Sequence, residues 1–300
     1  MAGIVAGPWP RLVCGSAPAV LAAALLLPGC ALLDEKQREL ALRPTPGLPA
    51  AFAPGSDAER ANFHAGDRRY TVPAGPGGSQ QLALWWLPQA DPNAPTLLYL
   101  HGTFRNLYGN LPKINALRAA GFSVLAVDYR GWGESTPLVP SEASIAADAL
   151  RAFDELQHLQ PNPARRVIYG HSMGGAAAVA LAATKHGGRD YGALVLESTF
   201  TRLPDVAAAA GVFGQIGAAL TTLQFDSLSR IARIDAPIWM LHGALDATVP
   251  IALGRRLRDA APAGVTWVEV PNGTHSRLFS EAPELYRSTF QNLIASLPAP

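Results

Sequence analysis

Gly170-His171-Ser172-Met173-Gly174 stands between a β-type run, Arg166-Val167-Ile168-Tyr169, and a helix-type run, Gly175-Ala176-Ala177-Ala178-Val179-Ala180-Leu181. A Gly-x-Ser-x-Gly in that setting is the nucleophile-elbow pattern, a sharp turn that pushes a serine hydroxyl out at the carboxyl end of a sheet. The flanking glycines suit it because side chains there would collide with the neighbouring strand and helix, and because the turn is strained. Five residues alone recur by chance. The strand before them and the helix after them give the pattern its weight.

Outward from the elbow, strand-like and helix-like runs alternate from Arg69 onward. The β-type segments are Arg69-Pro73, Leu82-Leu87, Thr96-His101, Ser123-Tyr129, Arg166-Gly170, Ala193-Glu197, Pro237-His242 and Val265-Val270. Several are continuously apolar, as Leu97-Leu98-Tyr99-Leu100 is, which a strand covered on both faces requires. The clearest helix runs from Ser141 to about Leu159, with Ile145, Ala149, Phe153 and Leu156 at three- and four-residue steps and Pro161 as its stop. Repeated β-then-α units predict an α/β fold with a mostly parallel sheet, right-handed crossovers and flanking helices. No internal repeat and no second domain are visible.

A serine that attacks an acyl carbonyl needs a base, an acid to orient the base, and donors for the developing oxyanion. The base is assigned to His275, in the glycine-containing loop just past the last strand, where such sheets place reactive groups. The acid is assigned to Asp246, in His242-Gly243-Ala244-Leu245-Asp246, directly after the penultimate strand. Glu197 is the competitor, because it ends the preceding strand; it is read instead as a polar strand end. The backbone N–H of Met173 is expected to form one half of an oxyanion hole. That of Thr103, with Phe104 next, is expected to form the other, and Gly102 lets that backbone come close.

His171 and the Met173 side chain are expected to pack around the turn, with Met173 also able to touch substrate. Asp128, Tyr129, Arg130 and Trp132 are expected to hold the loop after their strand. His101 and His242 read as hydrogen-bonded structural residues. The histidines are too scattered for a metal site, and no phosphate loop or dinucleotide fingerprint is present, so no metal and no cofactor are expected.

The segments LYLHGT, VLAVDYRGWGES, VIYGHSMGG, LVLEST, FDSLSRIARIDAPIWMLHGALDATVP and VPNGTHSRLF resemble the α/β-hydrolase superfamily. They are especially similar to the serine hydrolases related to Bem46 and the ABHD13/ABHD17-type depalmitoylases, over about residues 70–295. The resemblance implies an α/β-hydrolase fold with an eight-stranded sheet and catalytic roles for Ser172, Asp246 and His275. Thr103 departs from the Asn that relatives often carry there; backbone donation survives the change, whereas side-chain contacts to substrate need not.

Arg11 is the only charged residue before Asp34, and Ala17 to Leu27 is apolar apart from Pro18. Eleven residues is short of the roughly 20 that a membrane span needs but suits the core of a secretory signal. The run ends in Leu27-Pro28-Gly29-Cys30, which resembles the bacterial lipobox, with Pro28 as a departure. Residues 1–29 are therefore expected to be a lipoprotein-type signal peptide and Cys30 to be lipidated, an uncleaved anchor or ordinary secretion being the alternative. The expected location is the cell envelope, lipid-anchored and facing the periplasm, with Ala31 leaning towards the outer membrane. Cys14 would leave with the signal, so the remaining chain would hold no disulfide.

Residues 30–68, with Pro44, Pro46, Pro49 and Pro54, read as a stiff tether, and residues 69–300 as the hydrolase domain. Without residues 1–29 the chain loses one cation, Arg11, and balances 23 basic against 23 acidic residues, so no nucleic-acid partner is suggested.

Between the sixth and seventh strands, Ser198 to Ala236 spans 39 residues, enough for a short lid but not for a large cap domain. Phe200, Val212, Phe213 and Phe225 there either form an apolar acyl-binding surface or pack one helix onto the sheet. The expected function is a serine hydrolase cleaving small carboxylic esters or thioesters through an acyl-enzyme. An acyltransferase using the same residues and a non-catalytic lipid-anchored binding module are the alternatives. Oligomeric state is left open.

Overall fold

The computed structural model describes residues 32–211, 215, 219 and 221–299. The signal-like segment, Cys30, Ala31, Val212 and Phe213 lie outside the described residues. The chain divides into two compact units, Met1–Gln37 and Arg38–Pro300, and the sheet belongs to the second. Its strands are β1 (Arg68–Ala74), β2 (Gln80–Leu87), β3 (Thr96–Leu100), β4 (Ser123–Asp128), β5 (Arg166–His171), β6 (Ala193–Glu197), β7 (Ile238–Gly243) and β8 (Thr266–Val270). They form one eight-stranded sheet in the order β1-β2-β4-β3-β5-β6-β7-β8. β2 runs antiparallel to both neighbours, and every other pairing is parallel. Each strand expected from the sequence is present, with ends shifted by a residue or two.

The apolar run of β3 explains why it lies in the middle of the sheet. Successive side chains alternate faces, so Leu98 and Leu100 enter one core cluster while Leu97 and Tyr99 enter the other. All five residues of β3 are buried. Each large apolar side chain so buried contributes roughly 1.5–3 kcal/mol before conformational entropy is set against it. The helix Glu142–Leu159 covers the first of these faces through Ile145, Ala149, Ala152, Phe153 and Leu156. Ser141 caps its start by accepting from Ser144 N at 3.1 Å, and Ser144 Oγ accepts from Ser141 N at 2.8 Å. Gln160 ends it in an extended conformation, as the residue before Pro161 must.

The tether expected over residues 30–68 is corrected from Arg38 onward. Leu42 is buried in the core, and the ring centroids of Phe52 and Tyr108 lie 4.9 Å apart. Phe63 packs edge-on against Trp85 at 5.0 Å. The extended chain also finds backbone partners. Gly47 N donates to Gly133 O at 2.6 Å, Gly133 N donates to Thr45 O at 3.0 Å, and Asn106 Nδ2 reaches both Thr45 O and Gly47 O. Prolines do preset an extended path. Here that path lies along the domain because the apolar residues spaced through it meet apolar partners.

The described part of the lid interval includes the short helices Leu203–Ala209 and Leu228–Ile231. Among the described residues there is no large cap domain. Phe200 and Phe225 are buried in the main core, so these two pack the lid onto the sheet and do not offer an acyl-binding surface. Glu142, at the start of its helix, accepts from Gln224 N and Phe225 N at 3.1 and 3.0 Å and ties the returning chain down. No helix among the described residues is long and apolar enough to cross a membrane.

Candidate active site

β5 ends at His171, and the helix Met173–Ala182 begins one residue past Ser172. Ser172 therefore carries the whole reversal, at φ 56° and ψ −123°. That positive φ is costly for a residue with a Cβ. The turn is clamped on both sides. Ser172 N donates to Glu197 O on β6 at 2.9 Å, and Thr199 Oγ1 donates to Ser172 O at 2.9 Å. The glycines are explained by close approach: a Cβ on Gly170 would overlap the carbonyl of Gly174, and one on Gly174 would overlap the carbonyls of Leu100 and His101. A serine at a helix N-cap normally turns its hydroxyl onto the first-turn amides. Ser172 makes no such cap, which leaves its hydroxyl directed elsewhere.

That hydroxyl meets His275. Ser172 Oγ lies 3.0 Å from His275 Nε2, and His275 Nδ1 lies 2.8 Å from Asp246 Oδ2. A carboxylate only accepts, so Nδ1 carries the proton and Nε2 is free to accept from the serine. The three residues named from sequence thus converge into one hydrogen-bonded chain. Asp246 is held by its own loop: Oδ1 accepts from Thr248 N at 2.9 Å and Val249 N at 2.8 Å, the local turn an aspartate favours two and three residues ahead. Burial pushes its carboxyl up, but hydrogen bonds from His242 and His275, the positive charge His275 can carry, and the Val249 amide outweigh burial. Its pKa lies well below the usual carboxylate range.

Glu197, the competing acid, faces another group of side chains. It is fully buried, pairs with Lys113 Nζ, and accepts from Tyr169 Oη at 2.7 Å and Tyr286 Oη at 3.0 Å. It is the polar strand end expected, and it is also the centre of a buried polar cluster. Burial, only partly offset by Glu197, lowers the Lys113 pKa.

Three contacts around the histidine were not read from the sequence. His242 Nε2 lies 2.9 Å from Val249 O and 3.4 Å from Asp246 Oδ2, so it braces the acid's loop. Its place at a strand end, four residues before Asp246, was the available signal. His171 Nε2 donates to the carbonyl of His275 at 3.0 Å. Burial, then the charges of Lys113 and His275, hold the His171 pKa well below its ordinary value, so it is neutral. Glu281 grips Thr274, accepting from its N and its Oγ1 at 2.7 Å each, and so fixes the residue before His275. Nothing in the sequence marks that pairing, because it joins a loop to a short helix.

A cavity of about 640 Å³ opens over this chain of residues. Thr103 and Phe104, from the loop after β3, line it together with Ser172 and His275. Gly102 passes so close to the elbow that a Cβ on it would lie 3.1 Å from Ser172 Cβ. Met173 N opens its helix and has no carbonyl one turn earlier to bond. The Met173 side chain is buried in the core and belongs to packing. The Asp128 loop is held as expected, with Asp128 Oδ1 accepting from Leu107 N at 2.9 Å and lying 3.3 Å from His101 Nε2, and Arg130 Nε donating to Asp148 at 2.7 Å.

The family described as Serine aminopeptidase, S33 matches residues 92–222. The Mycobacterium tuberculosis protein Rv2307c, described as uncharacterized, is 35% identical over 198 residues, covering 65% of this chain and 68% of that protein. The chain belongs to the α/β-hydrolase family. Within it, this hydrolase is similar to the lysophosphatidylserine lipase ABHD12 of Danio rerio, 31% identical over 210 residues, covering 64% of the chain and 54% of the lipase. That likeness places it near the Bem46/ABHD group expected from its motifs. The esterase Pf2001 of Pyrococcus furiosus has the same fold, with a TM-score of 0.65 at 17% identity over 84% of this chain and 97% of the esterase.

Proposed function

We propose that this α/β-hydrolase cleaves carboxylic esters or thioesters through an acyl-enzyme on Ser172. The observation that carries the proposal is the Ser172–His275–Asp246 hydrogen-bonded chain at the floor of an accessible cavity. His275 Nε2 takes the proton of Ser172 Oγ as that oxygen bonds to the acyl carbon. The resulting oxyanion is met by the backbone N–H groups of Met173 and Thr103, each such donor being worth roughly 3 kcal/mol. His275 then returns the proton to the leaving oxygen or sulfur as its bond to carbon breaks. Water, deprotonated by the same nitrogen, attacks the acyl-serine, and as the acyl–Oγ bond breaks His275 returns that proton to Ser172 Oγ and the acid is released. Asp246 keeps the imidazole in the tautomer needed and offsets its positive charge.

The names of the lipase relative and of the esterase sharing the fold support ester chemistry. A fluorophosphonate label and p-nitrophenyl butyrate test it. Wild-type protein should label and turn over, and Ser172→Ala should do neither. Equal behaviour of the two proteins would end the proposal. Added alcohols or amines in the same assay, with product analysis, separate hydrolysis from acyl transfer.

A further inference from the structure

The cavity over Ser172 is charged in one sense only. Among the described residues that line it there are Lys113, Arg105 and Arg277 and neither an aspartate nor a glutamate. Lys113 is already paired with Glu197 in the buried cluster. Arg105 and Arg277 are different: both are exposed, and neither makes a salt bridge with a carboxylate among the described residues. They enter from opposite ends of the sequence, Arg105 two residues past Thr103 and Arg277 two residues past His275. Arg43, outside the lining, holds its guanidinium 4.9 Å from the ring centroid of Phe104. The carboxylates of Asp246, behind His275, and Glu281, bonded to Thr274, stand outside the lining.

The bias is local, because the whole chain carries a formal charge of only +1. Two unpaired guanidiniums facing one cavity raise the local concentration of anions, and their planar forks match carboxylate and phosphate oxygens. Phe104 and Leu245, both exposed, supply apolar surface beside them.

We infer that the substrate of this site is an ester or thioester bearing an anionic group, carboxylate or phosphate, away from the bond that is cleaved, and that Arg105 and Arg277 bind that group. The inference rests on the hydrolase reading above. Two matched pairs of substrates test it and locate the charge. 1-Butyrylglycerol 3-phosphate against 1-butyrylglycerol places it on the alcohol; p-nitrophenyl hemisuccinate against p-nitrophenyl butyrate places it on the acyl group.

In at least one pair the anionic member should have the higher kcat/KM, by roughly tenfold for two exposed contacts. The ratio should fall towards one in about 0.5 M NaCl, where screening is strong, and in the double variant Arg105→Ala/Arg277→Ala. Fluorophosphonate labelling of Ser172 reports that the double variant has folded; should it not label, Arg105→Gln and Arg277→Gln are read singly. Neutral members equal or better in both pairs, or a ratio untouched by removing the arginines, would overturn the inference while leaving the hydrolase intact. No turnover of any of the four esters, with no labelling, would instead be the failure of the hydrolase reading.

Discussion

At the residue scale the chemistry of the site is set by two environments that push titratable groups in defined directions. The Asp246 carboxyl, held well below its usual range, is ionised at neutral pH. Its folded pKa is depressed, so its contribution to stability is present above the unfolded value of about 3.9 and is lost as pH falls through the folded one. The acid limb of kcat/KM between about pH 4 and 7 should therefore show one ionisation and no second from Asp246. A limb of two protons would contradict this. Asp246→Asn should keep the geometry and lower kcat by about 10⁴-fold, because a neutral amide neither fixes the tautomer nor balances the imidazolium. His171 is buried and neutral, with its folded pKa also depressed. Below about pH 6.5 the unfolded chain takes up a proton that folded His171 refuses, so stability falls with pH, by up to about 1.4 kcal/mol per unit. His171→Gln keeps a donor for the His275 carbonyl and should lose this slope. Denaturant midpoints at about pH 7.5 and 5.5 would decide it, parallel curves for the two proteins counting against it.

At the scale of elements, the site depends on one strained turn and two loops that return to it. Gly174→Ala would drive a Cβ into the carbonyls of Leu100 and His101, and the expected outcome is loss of soluble folded protein or of fluorophosphonate labelling. Glu281→Ala should leave the fold intact but release Thr274 from its paired hydrogen bonds, letting His275 drift from Ser172. Misplacement on the order of 1 Å costs about 10²-fold, so kcat should drop by roughly 10- to 100-fold with a smaller change in KM. Unchanged kcat would show that the loop holds its shape without Glu281. These elements also mark how far the sequence could be read. Hydrophobic alternation and helical spacing placed the eight strands and the helix Glu142–Leu159 within a residue or two. Chain order after the elbow was enough to pick out Ser172, Asp246 and His275, which folding brings together. His242 was read as a hydrogen-bonded structural residue, but its partners and the contacts from His171 and Glu281 were not found, because each is a pairing across space between residue types that are common in loops.

At the scale of the whole molecule, residues 38–67 are part of the compact unit rather than a spacer. A chain beginning at Arg68 would lose the burial of Leu42 and the partners of Tyr108 and Trp85. It should melt about 5–10 °C below a chain beginning at Arg38; equal melting temperatures would return the segment to the role of a tether. Lipid attachment at Cys30 stays a proposal. Palmitate labelling that is present in the full chain and absent in Cys30→Ser, together with release from membranes, is the expected result. Persistent membrane attachment of the unlabelled variant would refute it.

Periodicity and local signatures are properties of consecutive residues, and from them alone the sheet, its flanking helices, the elbow and the three side chains proposed to react follow. Three matters were decided only by folding. Glu197 and Asp246 are both acids at neighbouring strand ends, and only the β6–β7 geometry turns one into a buried cluster and the other towards His275. Phe200 and Phe225 could equally have faced substrate or core, and packing chose the core. Arg105 and Arg277 lie 172 positions apart, so no local pattern could reveal that they share one cavity with no acid in its lining. Each of these is a contact between distant segments, whose energy depends on shape and charge brought together in space, and a linear pattern carries no record of that.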